Sequence, residues 1–211
     1  MSIIYESFPV GPLQCNCTIL GDSISGQGYI FDPGGDPDII MDRIETLNLK
    51  INALIHTHAH LDLILAAGHI HEKTGAKICL QRGDEFLWQM IEAQCEMFGV
   101  PYSPLPDPHH WLEHEEPLNC GSGICIHTPG HTPGSMSFYF QETNLLIAGD
   151  TLFLGSVGRT DFPGGNSKQL IKSIQERIYS LDETAKVITG HGPSTTIGHE
   201  MRKNAFVKAK N

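Results

Sequence analysis

The residues best suited to do chemistry lie close together, in a segment that covers positions 56–63 and reads HTHAHLDL. Its histidines occupy three alternate positions, and an aspartate follows two residues after the last of them. Neutral imidazole and carboxylate groups are the ligands that a borderline cation such as Zn²⁺ prefers. Because the segment directly follows the apolar, strand-like residues 51–55, it is expected where a buried strand gives way to a loop. The segment therefore predicts a metal site.

Three further turns each carry one metal-binding residue directly after a strand-like run. They hold His131 in TPGHTPG, Asp150 in AGDT and His191 in TGHGP. An aspartate in a turn is usually a turn or cap residue, and a single histidine between prolines and glycines is more often structural than ligating. The joint order is more specific, because HxHxD, His, Asp and His each follow the end of a predicted strand. This order indicates one metal centre assembled from four loops.

The elements that must position these loops alternate between apolar runs of strand length and stretches with 3.6-residue periodicity. Strands are predicted over residues 3–5, 17–20, 29–32, 53–55, 77–80, 124–127, 137–140, 145–148 and 186–189. Helices are predicted over residues 37–48, 83–98 and 168–181, the last with Asn166 or Ser167 as its N-cap. Two halves of similar pattern predict two sheets packed face to face with helices outside, an α/β four-layer αββα sandwich. We expect a single domain over residues 1–211, with ligands collected at loops along one edge of the sheets.

Composition and charge exclude several classes of function. The chain has 211 residues and a formal net charge of −10, from 14 basic and 24 acidic residues. This balance argues against RNA or DNA as a partner, because phosphate binding needs a concentrated basic face. No apolar run approaches the roughly 18 residues needed to span a bilayer, and the first ten residues lack the features of a secretory signal. We therefore predict a cytoplasmic protein without a membrane partner, whose six cysteines are reduced and mostly buried.

The ordered set of motifs resembles the metallo-β-lactamase superfamily, whose signature is HxHxDH followed by downstream His, Asp and His. The resemblance runs from DPGG at positions 32–35 to GHGP at 190–193, and it implies the metallo-β-lactamase fold. Within the superfamily, GHTPG at 130–134 and GRTDF at 158–162 are most similar to short, single-domain glyoxalase II-like (hydroxyacylglutathione hydrolase-like) enzymes and to the related persulfide dioxygenases. The resemblance therefore implies a metal-dependent enzyme that acts on small sulfur-containing substrates.

The resemblance also implies which residues form the first metal site. His58, His60 and His131 would bind the first metal, and Asp150 would bridge both metals. His56 has no counterpart in the signature, and we interpret it as a residue that supports the loop rather than as a substitute ligand. The first site thus keeps three histidines and a carboxylate, a full protein set for a tetrahedral Zn²⁺ or a five-coordinate metal with one open position.

The second metal site is incomplete, because Leu63 stands where the signature has its last histidine. Asp62, His191 and the shared Asp150 would remain there, and a leucine side chain has no lone pair to donate. We therefore predict one tightly bound zinc and a second site that is weak or empty. Asp62, released from a second metal, would be catalytic by orienting the attacking water or accepting its proton. Asp32 matches a family aspartate near the site, and we expect it to fix the loop backbone.

The favoured activity is hydrolysis of S-acyl-glutathione thioesters such as S-lactoylglutathione, at a rate reduced by the loss at the second site. Larger members of that group carry an added C-terminal helical region that helps bind glutathione, whereas only 18 residues follow Pro193 here. The sequence therefore leaves open whether the protein recognises glutathione. Arg159 and Tyr139 are candidate substrate contacts, each as compatible with a structural role.

Three other functions stay open or disfavoured. A persulfide dioxygenase would hold one iron with His58, His131 and Asp150, a set that suits non-haem Fe(II) and O₂ chemistry, although that family keeps the full HxHxDH motif. A metal-binding protein with decayed activity is a second alternative, opposed by the presence of every other ligand. Processing of RNA, as in superfamily nucleases, is disfavoured by the acidic charge.

Overall fold

Strands in the N-terminal part of the chain form one mixed sheet in the computed structural model, which describes residues 2–209. The backbone divides into two units, one ending at Leu112 and the other beginning at Glu113. The strands of the first unit are β1 (Ile3–Val10), β2 (Cys15–Asp22), β3 (Gln27–Phe31), β4 (Lys50–Ile55), β5 (Lys77–Leu80) and β6 (His110–Trp111). They lie in the order β1-β2-β3-β4-β5-β6, antiparallel from β1 to β3 and parallel from β3 to β6. The carboxyl ends of the parallel strands therefore share one edge, and the loop after β4 lies there.

Helices of the first unit connect these parallel strands. They are α1 (Pro37–Leu47), α2 (Leu61–Ile64), α3 (Ala67–Thr74), α4 (Glu85–Gln89) and α5 (Ile91–Phe98). The prediction of one continuous helix over 83–98 is wrong. Met90 leaves helical geometry (φ −91°, ψ 11°) and separates α4 from α5. Leu87 and Ile91 are buried, whereas Met90 and Phe98 are exposed.

The second unit contains a six-stranded sheet and a short hairpin. Its strands are β7 (Pro117–Leu118), β8 (Gly123–His127), β9 (Met136–Phe140), β10 (Leu145–Gly149), β11 (Leu152–Phe153), β12 (Ser156–Val157), β13 (Lys186–Thr189) and β14 (Thr195–Thr196). The sheet order is β14-β13-β10-β9-β8-β7, and β10 and β13 form its parallel pair. Strands β11 and β12 pair only with each other among the described residues. The turns after β8, β10 and β13 carry the three chemical residues of this unit.

Two helices complete the second unit, α6 (Ser167–Ser173) and α7 (Ile197–Lys203). A π-helical turn over Ile174–Ile178 continues α6, so the predicted helix over 168–181 is present but irregular. Asn166 is its N-cap, and the side-chain oxygen accepts a hydrogen bond from the Gln169 amide at 3.0 Å. Within residues 2–209, no helix has the length and apolar character needed to cross a membrane.

Candidate metal centre

Asp32 fixes the first histidine of the HxHxD motif through Thr57. The Asp32 carboxylate accepts hydrogen bonds from the Thr57 amide at 2.8 Å and from the Thr57 hydroxyl at 2.9 Å. The same hydroxyl lies 3.1 Å from Nδ1 of His58. Because a carboxylate only accepts and the hydroxyl has one proton, Nδ1 of His58 must be the donor to Thr57. This tautomer leaves Nε2 of His58 with its lone pair, the form that a metal ligand requires.

Side chains from two other segments hold the main chain on both sides of His60. The Ala59 amide donates to Asp84 Oδ2 at 3.1 Å, the Leu61 amide donates to Gln94 Oε1 at 3.1 Å, and the Ala59 carbonyl accepts from Gln94 Nε2 at 3.2 Å. The rings of His58 and His60 meet edge to face with centroids 4.7 Å apart. The sequence analysis missed Asp84 and Gln94. A signal existed for Gln94, since a polar residue three positions after Ile91 falls on the apolar stripe of its helix.

Leu63 and His56 lie together on the inner side of this loop. The Leu63 side chain is fully buried in the apolar core of the first unit. Nδ1 of His56 donates to the Leu63 carbonyl oxygen at 3.3 Å, and the imidazole packs edge to face on Trp88. Burial lowers the pKa of His56 to about 3, opposed in part by the hydrogen bond to Leu63. A buried neutral His56 therefore supports the loop backbone, in agreement with the role we predicted for it.

Asp62 lies in the first turn of α2, against the segment that follows β3. A Cβ atom at Gly34 would lie 1.6 Å from the Asp62 carbonyl oxygen and 2.4 Å from Sγ of Cys15. The Pro33 carbonyl accepts a hydrogen bond from the Ala66 amide at 2.9 Å. Only glycine permits this approach, so the DPGG motif serves to seat α2 and with it Asp62.

The second unit brings two predicted ligands, His131 and His191, together around a third, Asp150. Nε2 of His131 lies 3.6 Å from Oδ2 of Asp150, and Nε2 of His191 lies 3.9 Å from Oδ1. Both distances exceed those of hydrogen bonds. Two ligand atoms at about 2.1 Å from a tetrahedral Zn²⁺ lie roughly 3.4 Å apart. Each oxygen of Asp150 therefore faces a different histidine at a spacing that suits a shared cation, and the residues present fit a metal.

Backbone features hold this second group in place. Nδ1 of His131 donates to the Arg159 carbonyl oxygen at 2.6 Å, which leaves Nε2 of His131 with its lone pair. A Cβ atom at Gly190 would lie 2.0 Å from Oδ1 of Asp150, so only glycine lets the turn before His191 approach that carboxylate. In the sequence, the only sign that glycine is required at position 190 was the TGHGP turn itself.

The two candidate substrate contacts both have structural partners. The Arg159 guanidinium donates two hydrogen bonds of 2.7 Å to the Asp161 carboxylate and stacks on the Phe162 ring at 3.9 Å. These hydrogen bonds lower the pKa of Asp161 to about 2. The Tyr139 hydroxyl donates to Asn144 Oδ1 at 2.9 Å. Arg159 is more than half exposed, so its outer surface can still meet a ligand.

Glu200, which the sequence analysis also missed, anchors the hairpin that follows Asp150. This fully buried carboxylate accepts hydrogen bonds from the Thr195 hydroxyl at 2.6 Å, the Gly155 amide at 2.9 Å and the Asn204 side chain at 2.8 Å. Gly155 lies in the turn between β11 and β12. Glu200 thereby fixes the segment between Asp150 and the Arg159 carbonyl that orients His131.

Comparisons with known proteins extend over nearly the whole chain. A profile of the family described as the metallo-beta-lactamase superfamily matches residues 10–191. Hydroxyacylglutathione hydrolase GloC of Haemophilus influenzae is 37% identical over 209 residues, covering 97% of this chain and 98% of GloC. The solved BLEG-1 B3 metallo-beta-lactamase has a TM-score of 0.89 and 35% identity, covering 97% of this chain and 99% of that one. TTHA1623, solved in a di-iron-bound form, has a TM-score of 0.89 and 34% identity, covering 96% and 100%. These matches confirm the predicted fold class.

Proposed function

Because the chain belongs to the metallo-β-lactamase superfamily, as its motifs predicted, and is a metallo-hydrolase of that superfamily, we propose that it hydrolyses thioesters of the S-acyl-glutathione type. The alignment with a relative named hydroxyacylglutathione hydrolase, over almost the full length of both chains, supports this substrate class. The acidic net charge of −10 supports a small-molecule substrate over a nucleic-acid partner. We further propose that the protein acts in the cytoplasm without a membrane partner.

The proposed first metal site consists of His58, His60, His131 and Asp150, with Zn²⁺ as the metal. Hydrogen bonds to Thr57 and to a backbone carbonyl assign the Nδ1 protons of His58 and His131, and both Nε2 atoms are therefore available as ligands. When bound, such a cation polarises the thioester carbonyl and lowers the pKa of an attacking water. The site therefore suits hydrolysis at neutral pH.

The proposed second metal site binds its metal more weakly, and Asp62 has a different role there. Asp62 and His191 would share Asp150 with the first site, and Leu63 contributes no ligand. We assign Asp62 as the residue that orients the attacking water and accepts its proton at a carboxylate oxygen. Thus one metal is held tightly, and turnover is slower than with two.

One observation carries this proposal, namely that the two oxygens of Asp150 face Nε2 atoms of two different histidines at 3.6 and 3.9 Å. If a histidine and a carboxylate only stabilised the fold, one hydrogen bond between them would suffice, at a shorter distance than these. The divided arrangement instead supports the proposal that Asp150 ligates on both sides.

The test is hydrolysis of S-lactoylglutathione by the purified protein, freed of metal and reloaded with Zn²⁺, with the released thiol as readout. We expect thiol release that depends on zinc and is lost in Asp150→Asn. S-Hexylglutathione, a thioether, is the non-hydrolysable control and should compete if glutathione is recognised. A lactoyl thioester of N-acetylcysteamine then separates recognition of glutathione from recognition of the thioester.

Two other outcomes would overturn the proposal. Oxygen uptake on glutathione persulfide by the iron-loaded protein, without thioester hydrolysis, would establish the mono-iron dioxygenase. Tight metal binding without turnover of either substrate would establish a metal-binding protein whose activity has decayed.

A further inference from the structure

The main chain on both sides of His60 is held by one side chain, that of Gln94 in α5. Oε1 of Gln94 accepts from the Leu61 amide at 3.1 Å, while Nε2 donates to the Ala59 carbonyl at 3.2 Å and to the Leu87 carbonyl at 2.8 Å. Ala59 precedes His60 and Leu61 follows it, so the Gln94 amide spans the two peptide groups that set the position of the His60 Cα.

The chemistry of these contacts requires an amide. The Leu61 N–H can only donate, and the carbonyls of Ala59 and Leu87 can only accept. A side chain must therefore offer an acceptor on one side and two donors on the other, at the length of glutamine. A carboxylate would face both carbonyl oxygens with a lone pair, and an apolar chain would leave all three groups without this partner.

The third contact ties the loop to a rigid element. Leu87 belongs to α4, where its carbonyl also accepts a hydrogen bond from the Met90 amide at 3.1 Å, and its side chain is buried in the core of the first unit. Gln94 thus connects the backbone beside His60 to a helix end that cannot move without disturbing the core. His60 itself is extended (φ −79°, ψ 148°) immediately before α2, so a rotation of either flanking peptide would redirect its imidazole.

We propose that Gln94 is a positioning residue that presents the imidazole of His60 to the metal. The inference rests on the proposed role of His60 as a ligand, and it assigns to α5 a function in metal binding that goes beyond packing. Residues that orient metal ligands by hydrogen bonds typically change metal affinity by about 10–100-fold when they are replaced.

The experiment measures zinc affinity by competition with a chromophoric chelator in wild type, Gln94→Met and Gln89→Met. Gln89 is an exposed glutamine of the neighbouring helix and serves as the matched control. We expect Gln94→Met to weaken zinc binding by about 10–100-fold and to alter the visible spectrum of the Co²⁺-loaded protein. Gln89→Met should leave both unchanged.

A second background separates positioning from general destabilisation. In His60→Ala, the Gln94→Met change should alter zinc affinity by no more than about twofold, because coupled residues lose their coupling when one is removed. An equal loss of affinity in both backgrounds, or wild-type affinity and Co²⁺ spectrum in Gln94→Met, would overturn the inference. If Gln94→Met does not fold, Gln94→Glu keeps the acceptor for Leu61 and should show the same coupled loss. Absence of metal binding in wild type would instead refute the proposed function.

Discussion

Replacing Leu63 by histidine restores the missing ligand type at the cost of core packing, and the structure sets the size of both effects. Leu63 is fully buried among apolar side chains, and burying a leucine contributes about 1.5–3 kcal/mol. A polar group placed there without a partner costs about 1–3 kcal/mol more. The metal-free Leu63→His protein should therefore lose roughly 2.5–6 kcal/mol of unfolding free energy.

Added zinc should restore part of the lost unfolding free energy, and it should do so only in Leu63→His. A ligand present at 100 times its dissociation constant stabilises the folded state by about 2.7 kcal/mol. We therefore expect the gap in unfolding free energy between wild type and Leu63→His to narrow by about that amount at such a zinc concentration. Leu63→Asn, which also buries a polar side chain but lacks an imidazole, is the control and should show no narrowing.

The assay combines urea unfolding, with and without zinc, with direct determination of bound metal. Leu63→His should bind two equivalents of zinc, whereas wild type and Leu63→Asn bind one tightly. A folded Leu63→His protein that binds one equivalent, with a gap as wide in zinc as without it, would refute the assignment of position 63 to the second site.

Two further predictions concern groups that support the loops. Glu200→Ala should lower the unfolding free energy by about 3 kcal/mol or more, since it removes the shared acceptor of three donors, two of them in buried hydrogen bonds. Glu183→Ala, at an exposed ion pair, should cost less than about 1 kcal/mol, and comparable losses for the two variants in urea unfolding would contradict the assignment. The pKa of His56 is lowered to about 3 from its ordinary 6.5, so below pH 6.5 the unfolded chain binds a proton that the folded state excludes. Stability should therefore fall as the pH drops from 6.5 towards 3, by at most about 1.4 kcal/mol per pH unit for this one group. His56→Gln should flatten that slope in urea unfolding at pH 7 and pH 5, and an unchanged slope would show that burial does not keep His56 neutral.

The alternation of apolar runs and amphipathic stretches was enough to predict the longer strands, because those segments carry the period of their elements. Strand β4 and the loop after it followed from the change from residues 51–55 to HTHAHLDL. The two-residue strands, such as β6 and β14, are too short to show any period. Likewise, the break at Met90 leaves the helical pattern of residues 83–98 intact, so periodicity alone does not reveal it.

The supporting residues of the candidate site were much harder to predict than its chemical groups. Histidines and aspartates signal metal binding by type and spacing, whereas Gln94 contacts Ala59 across 35 residues and Glu200 contacts Gly155 across 45. Such contacts depend on how elements pack within each unit. Their only trace in the sequence is a polar residue on an otherwise apolar face, and many helices show one without any such role.

The most direct test of a hydrolase that holds one metal tightly is the rate of S-lactoylglutathione hydrolysis while metal-free protein receives Zn²⁺ in stepwise equivalents. The rate should rise linearly to one equivalent of zinc and then stay level. A rate that continues to rise to two equivalents, or no hydrolysis at any zinc loading, would contradict it.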